Sequence, residues 1–276
     1  MIALASSDAG TALAPTSTTE RDYISFSAIR TYQACPLRYF FRYVMGLPER
    51  TTSANLVFGS ALHRALEFHF REIMAGDEPP SVEQLMAEYQ AGWNERDAGM
   101  IRFGSSESRA TLDSLAQRML TKFRDSEIAM PLGRILAIEE TLRGCTIPGL
   151  PDLLARVDLI VEEPDALVVK DWKTSRARWS ASQVEEASEQ LLLYADLARD
   201  LAPGKPLRIE FAVLTKTKEV TIETHSLPVV AARLDRTKRV VERVWRAIEA
   251  EHFYPSPSTM SCPGCAYRAV CQAWCG

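Results

Sequence analysis

The chain has 276 residues, 46% of them hydrophobic and 25% charged, the balance of an ordinary globular protein with one large domain or two small ones. A formal net charge of −4 excludes indiscriminate binding of nucleic acid through a whole-molecule field, but not a local basic patch. No stretch approaches the roughly 20 apolar residues of a membrane-spanning helix. The opening MIALASSDAGTALAPTSTTE has neither a basic n-region nor an apolar core, so a cytoplasmic protein without a membrane partner is expected. Clustered cysteines in that compartment more often hold metals than form disulfides.

Residues 1–22 read as a disordered tail rich in small and polar residues. Ser25 N-caps a helix over Phe26–Tyr43, which Pro36 bends or divides. Further helices are expected at Gly59–Ala75, at Val82–Arg96 behind Ser81, and at Ser106–Ile128. After Pro131 the pattern turns to strands at Arg134–Leu142, Leu153–Val161 and Ala166–Trp172, the last two joined by the turn residues Glu162-Glu-Pro-Asp. A helix at Ala181–Leu201 follows, then strands at Leu207–Leu214 and Glu219–His225, and a last helix opened by Pro228 and running to Glu251. Helices, three strands, helix, two strands and helix describe an α/β core preceded by a helical insertion. The expected boundaries are a helical part at 23–130, an α/β core at 131–250 and a cysteine-rich closing segment at 251–276.

The chemistry concentrates at two strand ends. Asp158 sits inside the apolar strand ARVDLIV, and Asp171 and Lys173 close the next one, VVKDWKTS. On adjacent strands the two carboxylates can converge, and a period of two puts Asp171 and Lys173 on one face. A divalent cation such as Mg²⁺ or Mn²⁺ resolves the crowding, because carboxylates are hard oxygen ligands. By itself, Asp-x-Lys equally describes turn residues after a strand. Near the C-terminus, Cys262, Cys265 and Cys271 follow a C-x2-C-x5-C spacing, a metal clip with one corner missing. Six basic residues lie between Arg233 and Arg246 against Asp235 and Glu242. Arg236, Arg239 and Arg243 fall near one helical face, which reads equally as a DNA contact or a solvated face.

Six segments, in order, resemble the RecB-like exonuclease branch of the PD-(D/E)XK nuclease superfamily, which includes the C-terminal nuclease domain of AddB and the CRISPR adaptation exonucleases. They are SFSAIRTYQACPLRYFFRYVMGL (Ser25–Leu47), FGSALHRALE (Phe58–Glu67), the two acidic strands, EQLLLYADLA (Glu189–Ala198) and CPGCAYRAVC (Cys262–Cys271). The resemblance implies a restriction-endonuclease-like mixed sheet flanked by helices, in a single nuclease domain over 23–276. It implies a metal held by His63, Asp158, Asp171 and the carbonyl of Trp172, with Lys173 catalytic and Gln190 and Tyr194 lining the site. Glu139 or Glu140 adds a further carboxylate. It also implies a 4Fe-4S cluster on Cys35, Cys262, Cys265 and Cys271, with Zn²⁺ as the alternative occupant. Cys145 and Cys275 fit no ligand slot. Ala155 and Ser175 stand where the family often has glycine.

The implied activity is metal-dependent hydrolysis of DNA, single-stranded or at ends, in repair, recombination or CRISPR adaptation. Arg176 and Arg178, just past the site, are candidate phosphate contacts or plain loop charges. No Walker A motif is present, so any ATP-driven unwinding falls to a partner such as a helicase, and a CRISPR integrase is the other partner implied. The competing reading is a non-catalytic DNA-end-binding or scaffolding subunit of such a complex.

Overall fold

The computed structural model describes residues 22–49, 51–95 and 100–274. The expected tail up to residue 21, the helix end at Arg96 and Cys275 lie outside them. No helix among the described residues is long and apolar enough to cross a membrane.

A short strand β1 (Tyr23–Ser25) leads into α1 (Phe26–Ala34), whose first turn is capped by Ser25, its hydroxyl accepting from the Ala28 N–H at 3.3 Å. Pro36 divides the helix as expected. The residue before a proline is sterically barred from the helical region, so Cys35 is extended (φ −165°, ψ 107°) between α1 and α2 (Pro36–Tyr39). A π turn, Phe40–Val44, continues α2. Next come β2 (Thr52–Ser53), α3 (Ala54–Ala75), α4 (Val82–Asn94), β3 (Ile101–Arg102) and α5 (Arg109–Arg124). Helix α3 starts five residues before Gly59, because Ser53 caps it through Asn55 N–H. Ser81 and Ser108 close capping boxes with Gln84 and Thr111, so α5 begins at Arg109 and not at Ser106.

Strands β4 (Arg134–Gly144), β5 (Asp152–Glu162) and β6 (Leu167–Ser175) are followed by α6 (Ala181–Ala198), β7 (Leu207–Thr215), β8 (Ile222–Pro228), α7 (Ala231–Glu249) and α8 (Arg268–Ala273). Two of the bounds that differ from expectation have a local cause. The Thr215 hydroxyl accepts from Thr221 N–H (2.9 Å), which holds the intervening residues in a turn and moves the strand start from Glu219 to Ile222. Pro228 ends β8 opposite Arg208 instead of opening a helix, since an edge strand tolerates a residue without an N–H.

The six-stranded sheet is mixed. Strand β5 pairs antiparallel with β4 and β6 and parallel with β1; β6 and β7 are parallel, and β7 and β8 antiparallel. Helices cover both faces: α3, α4 and α5 pack with Leu159, Val161, Trp172 and Leu214 on one, α1, α6 and α7 with Val157, Leu167 and Ile209 on the other. This is the expected flanked mixed sheet. It begins, however, at Tyr23 and not near residue 131, because three residues are too few for β1 to show a period.

Gly133 precedes β4 with φ +122°, and a Cβ there would strike the Glu162 carbonyl oxygen. Gly133→Ala is expected to lower stability by about 2 kcal/mol or more. Urea unfolding checks this, and an unchanged midpoint would contradict it.

Candidate active site

Strands β5 and β6 are paired only between Leu159↔Lys170 and Glu162↔Leu167. At the next residues, Asp158 and Asp171, they part; β5 continues beside β4 and β1, and β6 beside β7. The side chains register the same break. Ala155 and Val157 face one apolar cluster and Leu159 and Val161 the other, although a period of two keeps all four on one face of a regular strand. Asp158 stands at this switch, and its Oδ2 accepts from the Trp172 N–H at 2.8 Å across the fork.

Register decides between the two candidate glutamates. Ile138↔Leu159 and Glu140↔Val157 bracket Glu139, which therefore lies across from Asp158. Its φ of +47° is left-handed, a conformation that costs a side-chain-bearing residue about 1–3 kcal/mol. The Glu139 carboxylate is buried, whereas Glu140 is exposed. From α3, His63 reaches into the fork. Its Nδ1 is 3.3 Å from Glu139 Oε1 and 3.5 Å from Asp158 Oδ2, and its Nε2 is 3.0 Å from the Trp172 carbonyl oxygen. The Trp172 ring, stacked on Phe70, anchors that carbonyl. Among the described residues, His63, Glu139 and Asp158 are the one group of three His, Cys, Asp or Glu side chains with ligand atoms all within 4.8 Å of each other.

Asp171 is buried, and Lys173 Nζ lies 2.5 Å from its Oδ2 in ion contact, off any hydrogen-bond direction, so that oxygen has no aligned donor. Burial, with Asp158 adding to it, pushes Asp171 up to about 6 against the pull of Lys173 and His63. Burial alone would lower Lys173, but the carboxylates of Asp171 and Asp158 outweigh it and hold the amine above its usual range. Burial would likewise lower His63, yet Asp158, Glu139 and Asp171 push it up to about 10. Without a metal, the site holds three carboxylates against an imidazolium and an ammonium. Two or three carboxylates, an imidazole and a backbone carbonyl form a donor set that suits a hard divalent cation.

A folded-state value of about 10 against an ordinary 6.5 means that His63 contributes stability fully present below 6.5 and lost as pH rises through 10. The raised Asp171 acts in the same sense, its contribution fading from 3.8 to about 6. In EDTA the urea midpoint should therefore fall between pH 6 and 10, and His63→Ala should flatten the fall. A wild-type midpoint independent of pH over that window would contradict this.

The fork opens into a cavity of about 900 Å³ lined by residues that include Asn55, His63, Arg64, Arg156, Asp158 and Lys173. Gln190 and Tyr194 on α6 do not line it. Gln190 Nε2 donates to Tyr194 Oη (3.0 Å), and Tyr194 lies in the field of Asp171, Lys173 and Asp158. Arg176 and Arg178 are exposed and face Glu107 (3.8 Å) and Glu223 (3.2 Å). Arg236, Arg239 and Arg243 are exposed on α7, across the sheet from α3, and none lines the cavity. The structure thus does not join them to the acidic fork.

The four expected cysteine ligands do converge. Cys35, Cys265 and Cys271 pack around Leu37, Phe41 and Tyr267. Burial, then the neighbouring Cys35, Cys265 and Cys262, raises the Cys271 thiol. Cys262 Sγ accepts from Ser258 N–H at 3.3 Å, and none of the described cysteines is in a disulfide. Cys145 is exposed and is not packed with them.

The family profile of the PD-(D/E)XK nuclease superfamily matches residues 23–272. The chain belongs to this superfamily. The crystal structure of a candidate exonuclease from Eubacterium rectale superposes with a TM-score of 0.56 at 16% identity, covering 96% of this chain and 94% of that one, which shows a shared fold. A second crystal structure, of SSO0001, aligns over 90% of this chain and 95% of that one at 13% identity, with a TM-score of 0.35 that carries no argument. No curated protein matches the sequence. In this nuclease-superfamily chain, Lys216 falls in the connection between the strands expected at Leu207–Leu214 and Glu219–His225. Parallel pairing of β7 with β6 brings it to the end of the Lys173 strand, and the helix between the two strands is the sign that would have given the pairing.

Proposed function

We propose that the chain is a Mg²⁺- or Mn²⁺-dependent DNA exonuclease of the RecB-like branch, acting on single-stranded DNA or DNA ends and carrying a 4Fe-4S cluster on Cys35, Cys262, Cys265 and Cys271. The observation that carries the nuclease reading is the parting of β5 and β6, beside which the His63, Glu139 and Asp158 group and the Asp171–Lys173 ion pair lie within each other's electrostatic reach. His63, Asp158, Asp171 and the Trp172 carbonyl hold the cation, with Glu139 as a further carboxylate. When bound, the cation lowers the pKa of a water and offsets charge on the phosphate. Lys173 supplies a fixed positive charge to the developing oxyanion, in a site where Asp171 already orients its amine. Gln190 and Tyr194 position Lys173 from α6.

The choice of a 4Fe-4S cluster over Zn²⁺, which four thiolates also suit, rests on the resemblance. Work in repair, recombination or CRISPR adaptation, beside a helicase or an integrase in the cytoplasm, belongs to the same proposal and rests on the resemblance alone.

The test is cleavage of end-labelled single-stranded and duplex oligonucleotides with Mn²⁺, beside a circular single strand. The expected result is stepwise loss of the linear substrates, an intact circle and no cleavage by Asp171→Ala. Binding of ends with no cleavage by the wild type would support the scaffolding subunit instead.

A further inference from the structure

The basic side chains that line the cavity all have carboxylate partners: Arg64 is paired with Glu88 and Glu95, Arg71 with Glu67, Arg156 with Glu139 and Lys173 with Asp171. Lys216 does not line the cavity but reaches Asn55 on its wall, and it has no such partner. Its Nζ donates to the side-chain carbonyl of Asn55 (2.8 Å) and lies 4.8 Å above the Phe58 ring, and among the described residues no carboxylate forms an ion pair with it. Burial lowers its amine, with Glu107 pulling the other way. It is a cation short of countercharge.

Its position is fixed from two sides. Lys216 N–H donates to the Ser175 carbonyl (2.6 Å), which extends the β6–β7 pairing beyond Ser175↔Thr215. Lys173 pairs with Val213. At about 3.3 Å per residue, Lys216 begins roughly 10 Å further along the sheet than Lys173. Asn55 is held by its other end, where Nδ2 donates to Glu107 Oε1 (2.8 Å), so its carbonyl is left for Lys216. Asn55 lines the same cavity as His63, Asp158 and Lys173. Arg176, exposed and 3.8 Å from Glu107, adds a second cation beside this group.

We propose that Lys216, positioned by Asn55, binds a phosphodiester one or two nucleotides away from the bond that is cut. The inference rests on the nuclease reading and assigns it a second phosphate site. A phosphate of the same strand supplies the countercharge that Lys216 lacks, and anchors the strand while Lys173 serves the scissile group.

The experiment compares wild type and Lys216→Met with Mn²⁺ on a single-stranded oligonucleotide and on the p-nitrophenyl ester of thymidine 5′-monophosphate, which has one phosphodiester. Lys216→Met should raise the oligonucleotide KM roughly tenfold, the value of one charge-assisted hydrogen bond, with kcat within about twofold. The dependence of log kcat/KM on log salt should become shallower by about 0.7, and hydrolysis of the small ester should not change. An unchanged KM and salt slope, or an equal loss on both substrates, would overturn the site. Should Lys216→Met fold poorly, a neutral methylphosphonate walked along the oligonucleotide tests the wild type directly. One position beside the scissile bond should raise KM comparably, and the absence of any such position would overturn the site. Wild type that cuts neither substrate sinks the nuclease reading, and this site with it; a Lys216→Met that behaves as wild type sinks this site alone.

Discussion

Lys173→Ala should lower the rate of DNA hydrolysis by at least about a hundredfold, the usual cost of removing one preorganised group that stabilises transition-state charge. Manganese binding should survive, because Lys173 donates no ligand. The two effects separate for a physical reason. Lys173 is the ion-pair partner of buried Asp171, so its loss in the metal-free chain leaves a buried carboxylate that takes up a proton above its present value of about 6. A divalent cation restores the charge balance, and the variant is therefore assayed with Mn²⁺. Asp171→Ala should behave differently, losing cleavage and weakening metal binding together. Gel-resolved cleavage alongside Mn²⁺ titration calorimetry distinguishes the two. Equal cleavage by wild type, Lys173→Ala and Asp171→Ala would reject the fork as the seat of the chemistry.

On the proposed four-thiolate assignment, Cys35→Ala should lose the cluster and a large share of stability at once. Cys35 lies between α1 and α2 and Cys262, Cys265 and Cys271 lie beyond residue 260, so a cluster on all four would close nearly the whole chain into a loop. The chain-entropy estimate for such a cross-link is about 3 kcal/mol or more. For a chain of this size that lowers Tm by roughly 6–12 °C. Iron and sulfide content, visible absorbance and thermal melting check the three consequences, with lower solubility expected beside them. Cys145→Ala is the control, since its thiol is exposed and does not join the cluster of Cys35, Cys265 and Cys271. A Cys35→Ala protein that is fully loaded and melts with the wild type would remove Cys35 from the ligand set.

The sheet connects the two regions. Strand β1 pairs with β5 at Asp152, Leu153 and Leu154, and α1 follows β1 directly. The cysteine end of the first helix is thus tied to the strand that carries Asp158. On the proposed assignment the cluster braces the fork and does no redox work there.

Much of this was legible from local pattern. Alternation and apolar runs place β4 to β7 close to their positions, since a strand's period is written in consecutive residues. Serines 25 and 81 mark helix starts by the chemistry of their own side chains. Cys35-Pro36 breaks the first helix through sterics confined to two residues. The aspartates and Lys173 stand out because charge inside or just after an apolar strand is costly wherever the strand lies.

Other features depended on partners distant in sequence. Glu139 and Glu140 are equivalent as adjacent letters; the register with β5 and a left-handed φ bury one and expose the other. The arginines of α7 form a basic face in sequence, yet the sheet stands between them and the cavity. Lys216 is a turn residue until β7 pairs in parallel with β6. The sequence by itself determined which residues could not be left in apolar surroundings alone, because that cost is intrinsic to each side chain. Only the tertiary structure decided which of them meet, because strand register and the parting of β5 from β6 are set by pairing between segments, and no local pattern encodes it.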